Sequence, residues 1–126
     1  MSGRQLEIAR AGEVAAEAHL VRAGFIPVAR NVRVGRDEAD LVMRDPDGRT
    51  MVVVEVKTRT RSSVWPEERI DRAKQFHLRR IARTLAARTP SGTPWRIDAI
   101  GVTLIGDAPA VIVHHTNAVE GQALGR

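Results

Sequence analysis

The sequence predicts a mixed α/β domain: one mixed β-sheet flanked by helices, with elements in the order α-β-β-β-α-β-β. Three observations predict it. Two segments carry apolar residues at helical spacing. Five shorter segments are rich in β-branched residues and are bounded by Gly, Pro and Asp turn signals. A helical segment separates the third strand from the fourth, so that pair runs parallel with a right-handed crossover.

Residues 5–23 read as the first helix, with Leu6, Ala9, Ala16 and Leu20 on one stripe and Gly24 as its stop. Glu13 falls on that stripe, although Glu7 and Glu17 have the outer flanks. Residues 25–34 form the first strand, with Pro27 marking an edge or irregular start. After the Gly35-Arg36 turn, residues 38–44 form the second. Asp45-Pro46-Asp47-Gly48 is a strong turn, because proline presets φ and glycine accepts a positive one. Residues 49–58 form the third strand and complete an antiparallel meander.

Pro66 suits the first turn of a second helix that runs to about residue 88. Its apolar stripe is Ile70, Ala73, His77, Ile81 and Leu85. Lys74 shares a row with Leu78 and Ile81 and leans toward the sheet. Residues 95–104 and 110–115 are the fourth and fifth strands, separated by the turn Gly106-Asp107-Ala108-Pro109.

At 126 residues the chain suits a single domain, 1–126, with a core large enough to need no metal or disulfide staple. Its tail from about residue 117 is expected to be flexible. There is no cysteine, which excludes disulfides and thiolate zinc sites and fits a reducing cytoplasm. No secretory signal or membrane-length apolar run is present, so a soluble cytoplasmic protein is expected. The net charge is +5, but residues 57–88 alone carry +7 and the remainder −2. A basic zone beside clustered acids suits a polyanion whose backbone meets the cations while acids hold a metal. Tyrosine is absent and aromatics are scarce, so a base-stacking platform is not expected.

The most informative stretch is Val52-Val53-Val54-Glu55-Val56-Lys57. Near-continuous valine implies a central strand buried on both faces. Alternation puts Glu55 and Lys57 on one face with Met51 and Val53. The only lysines in this arginine-rich chain are Lys57 and Lys74. Keeping lysine here points to a need for a compact ammonium that a planar guanidinium would not meet. On this stretch alone, a structural Glu–Lys couple and a catalytic pair are both open.

Pairing Arg44 with Arg49 across the turn puts Asp40 opposite Val53 and Glu38 opposite Glu55. Asp40 is then diagonal to Glu55, about 7–8 Å away at the backbone. Acids gathered on one face repel unless a cation sits between them, and Mg²⁺ is the natural one.

Asp40 followed by Glu55-Val56-Lys57 after fourteen intervening residues resembles the Asp…Glu-x-Lys signature of the restriction-endonuclease-like nucleases. The wider sequence resembles the YraN-like, endonuclease-related family, allied to Holliday junction resolvases. The matching residues are Gly12-Glu13 with Ala16, Arg30-Asn31-Val32-Arg33, Glu38-Ala39-Asp40-Leu41-Val42 and Val54-Glu55-Val56-Lys57-Thr58-Arg59. Lys74, Arg96-Ile97-Asp98 and Asn117-Ala118 continue the match in order. The family usually has glycine where Asp37 stands, and often a glycine in the loop where Val64-Trp65-Pro66 stand.

The resemblance implies a restriction-endonuclease-like core and Mg²⁺- or Mn²⁺-dependent hydrolysis of DNA phosphodiester bonds, with a branched or structured substrate. It implies catalytic roles for Asp40, Glu55 and Lys57. Asp40, Glu55 and the Val56 carbonyl would ligate metal, joined by Glu13 directly or through water. Lys74 and Arg59 would hold the phosphate. Arg33 and Arg30, outward on an early strand, could also meet phosphate, and Glu38 would support the site from farther out. A homodimer is expected by analogy with junction resolvases. A non-catalytic nucleic-acid- or partner-binding protein on the same fold is the rival reading, and RNA as substrate is left open. His114 and His115 point to opposite faces of a strand, which disfavours joint metal ligation. Asp98, Trp65 and Trp95 are read as structural.

Overall fold

The computed structural model describes residues 2–60 and 70–119. Its elements are α1 (Gly3–Arg22), β1 (Ile26–Val34), β2 (Asp37–Arg44), β3 (Met51–Thr60), α2 (Arg72–Ala86), β4 (Trp95–Ile105) and β5 (Ala108–His115). The five strands form one mixed sheet in the spatial order β1-β2-β3-β4-β5. β3 and β4 are parallel and the other neighbours antiparallel. The element order and the central place of β3 agree with expectation.

Each helix covers one face. α1 starts with a Ser2–Gln5 capping box. It ends at Gly24, whose φ of 99° lets the chain turn into β1. Its buried Ala16 and Leu20 pack on Leu41, Met43, Val52, Val54 and Ile100, and its buried Gly12 lies against Thr58. On the other face Leu78, Ile81 and Ala82 of α2 pack on Val42, Val53 and Ile97. Strand alternation divides the valines of β3 between these two layers.

α2 departs from expectation in start and facing. It begins at Arg72, because the Asp71 carboxylate caps it by accepting the Lys74 N–H at 2.8 Å. Pro66 and Trp65 lie outside the described residues. Ala73 is exposed, and Leu78 and Ala82 fill the positions expected of Ala73 and His77. His77 Nδ1 instead lies 2.7 Å from Asp37 Oδ1, and Arg80 Nε donates to Asp37 Oδ2 at 2.7 Å. That clamp joins α2 to the start of β2.

The β2–β3 register also differs from the sequence reading. Arg44 pairs with Met51, not Arg49. The reason lies in the turn: Asp47 Oδ1 accepts the backbone N–H of both Arg49 (2.7 Å) and Thr50 (2.8 Å), which withdraws them from the ladder. The hydrogen bond from the Thr50 hydroxyl first, then these backbone bonds, hold the Asp47 carboxyl down at about 2. Pairing runs through Leu41–Val54, so continuation places Asp40 directly across from Glu55 rather than diagonal to it. A shift of two residues preserves the face on which each side chain stands.

Asp98 is wholly buried on the α1 side of β4, sharing parity with Ile100 and Val102. It accepts hydrogen bonds from Arg96 Nε (2.9 Å) and the Asn117 N–H (2.8 Å), and its Oδ2 lies 2.8 Å from His114 Nε2. Arg96 also reaches Asp45 at 2.8 Å. Burial pushes the Asp98 carboxyl up, but its hydrogen bonds together outweigh burial and hold it below the usual range. This network ties β4, β5 and the β2–β3 turn together. Of the tail, Ala118 donates to the Ile97 carbonyl at 2.7 Å and Val119 is buried; residues 120–126 lie outside the described residues. Trp95 is buried and donates to Thr89 Oγ1 at 3.2 Å.

Candidate metal and phosphodiester site

The site begins where the β2–β3 ladder ends. Beyond Leu41–Val54 the strands stop exchanging backbone hydrogen bonds, and Asp40 Oδ2 accepts the Val56 N–H at 2.8 Å. A side-chain carboxylate thus takes the place of a strand carbonyl. The N–H and C=O of one strand residue point to the same neighbour, so the Val56 carbonyl faces this opening too.

Glu55 stands across from Asp40 on the central strand and is 8% exposed. Lys74 Nζ lies 3.6 Å from Glu55 Oε2. Glu55 Oε1 is buried with no hydrogen-bond partner among the described residues. Burial first, then the neighbouring Asp40 charge, pushes the Glu55 carboxyl up to about 8, against the pull of Lys74 and Lys57. Burial likewise raises Asp40, opposed by the Val56 N–H. Each carboxyl is thus easier to ionise when a cation offsets its charge.

Glu13 approaches from α1. Gly12 makes this possible: a Cβ there would lie 1.8 Å from Thr58 Oγ1, so only glycine lets α1 settle on β3. The Glu13 carboxyl is raised, chiefly by burial and further by Asp40 and Glu38, while a hydrogen bond from Asn31 opposes. Glu13, Val56, Thr58 and Arg59 line a cleft of about 340 Å³ beside α1. A larger groove of about 530 Å³ lies at the other end of the sheet, between Arg44, Arg49 and the loop of residues 89–94. No carboxylate lines it, whereas the smaller cleft has Glu13 and Val56 in its wall.

Asp40, Glu55, Val56, Glu13, Lys57 and Lys74 are therefore neighbours. Lys57 is exposed on the Glu55 side of β3, and Arg59 Nε donates to Thr103 Oγ1 at 3.0 Å. Glu38 lies 3.8 Å from Arg33 Nη2, on the rim. Arg30 makes a bidentate pair with Glu17, both contacts at 2.6 Å. Among the described residues no three His, Asp or Glu side chains gather closely enough to hold an ion by themselves. An ion here would need the Val56 carbonyl, water or phosphate oxygens as well.

Two contributors escaped the sequence reading as individuals. Gly12 and Asn31 appear there only as motif members. Asn31 has φ 48° inside β1, and its Nδ2 donates to Glu13 Oε1 at 3.3 Å. The available signal was an asparagine, a poor strand former, in mid-strand.

Among the described residues no helix is long and apolar enough to cross a membrane. The model of the family described as "Uncharacterised protein family UPF0102" matches residues 12–102, which include the whole site. A UPF0102 protein of Roseiflexus castenholzii is 36% identical over 118 residues, covering 91% of this chain and 94% of that one. One from Methylibium petroleiphilum is 42% identical, covering 72% and 80%. One from Symbiobacterium thermophilum is 41% identical, covering 75% and 80%. Among solved structures, Pyrococcus furiosus SfsA in complex with Ca²⁺ is 15% identical with a TM-score of 0.38, and the match covers 94% of this chain and 65% of that one. With the family model matching most of its length and relatives matching at this identity, the chain belongs to the UPF0102 family.

Proposed function

We propose that the chain is a divalent-metal-dependent endonuclease that hydrolyses DNA phosphodiester bonds, with branched or otherwise structured DNA as substrate. The observation that carries this reading is the buried Glu55 Oε1, facing no donor among the described residues, beside the Asp40 carboxylate. An unmet buried acceptor costs about 1–3 kcal/mol, and the second carboxylate adds repulsion. A hard dication between them relieves both penalties.

Asp40, Glu55 and the Val56 carbonyl would hold Mg²⁺ or Mn²⁺, with Glu13 joining directly or through water. When bound, the ion would supply Lewis-acid neutralisation of charge on the phosphate and the leaving oxygen. Lys57 would orient the attacking water and favour loss of its proton. Lys74, held by Glu55 in the resting site, can turn its ammonium to a phosphate oxygen. Arg59 on the cleft wall and Arg33 on the rim, 75% exposed, are the next phosphate contacts. Arg30 is engaged by Glu17 and would contribute through its remaining donors. Glu38 tunes the acids through its charge. The cysteine-free composition suits a reducing cytoplasm, and a homodimer would offer two sites to a branched substrate.

The test is a cleavage panel of duplex, single strand, flap, four-way junction and RNA, each with Mg²⁺, Mn²⁺ or EDTA. Metal-dependent cutting of a DNA, lost in both Glu55→Ala and Lys57→Ala, is expected. No cutting, with DNA binding unchanged by EDTA and by Glu55→Ala, would favour a binding protein. Preferential RNA cutting would replace the substrate class and keep the chemistry.

A further inference from the structure

Arg30 and Asn31 are consecutive residues of β1, yet both contact α1: Arg30 binds Glu17 and Asn31 binds Glu13. In a regular strand successive side chains point to opposite faces, which would send Asn31 away from α1. Glu13 and Glu17 are four apart and lie on one face of the helix. The left-handed backbone of Asn31, φ 48°, breaks the alternation and turns its amide toward the same helix. Asn31 falls opposite Asp40, between the pairs Arg30–Leu41 and Val32–Ala39. Among the described residues Asn31 alone has a positive φ inside a strand, and it sits beside the carboxylates. Backbone strain of this kind persists where surrounding structure requires it and clusters at functional sites.

We infer that Asn31 is a positioning residue: its side-chain amide fixes the Glu13 carboxylate toward Asp40, so that Glu13 completes the divalent-cation site. This inference rests on the metal-dependent reading above. The amide occupies one Glu13 oxygen and thereby sets the rotation of the other. Asparagine suits the task because it tolerates the left-handed region and carries an NH₂ donor on a short stem.

The test is Mn²⁺ titration of the metal-free protein, without DNA, for wild type, Asn31→Gly, Glu13→Gln and the double variant. Asn31→Gly keeps the left-handed backbone without a Cβ, so its melting temperature in EDTA should not fall. Its Mn²⁺ dissociation constant should rise about 10-fold, the usual loss when a partner that orients a ligand is removed. On the Glu13→Gln background the same change should cause no further loss. In EDTA, the Asn31 side-chain amide resonance should also move on Glu13→Gln. Wild-type affinity in Asn31→Gly, or an equal loss with Glu13 already replaced, would overturn the inference while leaving the metal site standing. Failure of wild type to bind Mn²⁺ would overturn the proposed function and this inference together.

Discussion

Removing the buried acid should make the metal-free protein more stable in alkaline solution. In Glu55→Gln the side chain keeps its shape and loses its charge. In the unfolded chain Glu55 ionises near 4.5, whereas in the folded chain it keeps its proton to about 8. The folded state therefore binds more protons between those values, and wild-type stability falls as pH rises through that window. The gap from 4.5 to about 8, at ~1.36 kcal/mol per pH unit, sets a ceiling of ~5 kcal/mol. Lys74 and local rearrangement absorb part of that when Glu55 ionises, leaving an expected gain of ~2–3 kcal/mol at pH 8. For a chain of this length that is a rise of roughly 10 °C in melting temperature. Thermal melts of both proteins in EDTA from pH 4.5 to 8 measure it. The curves should coincide at the acid end and separate steadily toward pH 8. A difference independent of pH, or a Glu55→Gln protein less stable at pH 8, would refute the argument. With Mg²⁺ at 100 times its dissociation constant, wild type should regain about 2.7 kcal/mol that the variant does not.

Four other outcomes follow. Gly12→Ala puts a methyl group 1.8 Å from Thr58 Oγ1, so α1 must lift off β3; a destabilisation of about 1–3 kcal/mol in urea unfolding is expected, with weaker Mn²⁺ binding. Asp98→Ala leaves Arg96 with Asp45 alone and takes the acceptor from the Asn117 N–H, and should cost about 1–3 kcal/mol by the same measurement. Because the Asp98 carboxyl is held below its ordinary value, its contribution is full above pH 3.8 and is lost as pH falls through the folded-state value; Asp98→Asn should accordingly flatten the acid limb of the stability profile. Lys57→Arg should bind Mn²⁺ like wild type yet lose cleavage about 100-fold, because a guanidinium presents a wide fork where a compact ammonium is needed.

Alternation along β2 and β3 is enough to place Asp40 and Glu55 on one face, and it survives the correction of the register by two positions because parity is unchanged. The register itself is set by Asp47, which captures two backbone N–H groups through its side chain. Such local capping leaves no trace in a hydrophobic pattern. The facing of α2 departs from its apolar stripe for a similar reason. Asp37 draws His77 and Arg80 to the edge of β2, and this polar clamp turns Leu78 and Ala82 inward. Asp37 was visible as a departure from the family pattern, but its partners lie about forty residues away in sequence. Arg30 reads as outward from alternation and is outward, yet Glu17 of α1 meets it there. Asn31 was hidden because a left-handed residue inside a strand violates the alternation from which the strand was read.

The central claim is that Asp40 and Glu55 form a divalent-cation site, and calorimetric titration of the metal-free protein with Mn²⁺ at pH 7 tests it most directly. One site is predicted, weakened strongly in Asp40→Asn and in Glu55→Gln. Binding should release a proton as the cation displaces the one Glu55 holds below about 8, seen as a dependence of the heat on buffer ionisation. No binding, or binding that neither substitution alters, would contradict it.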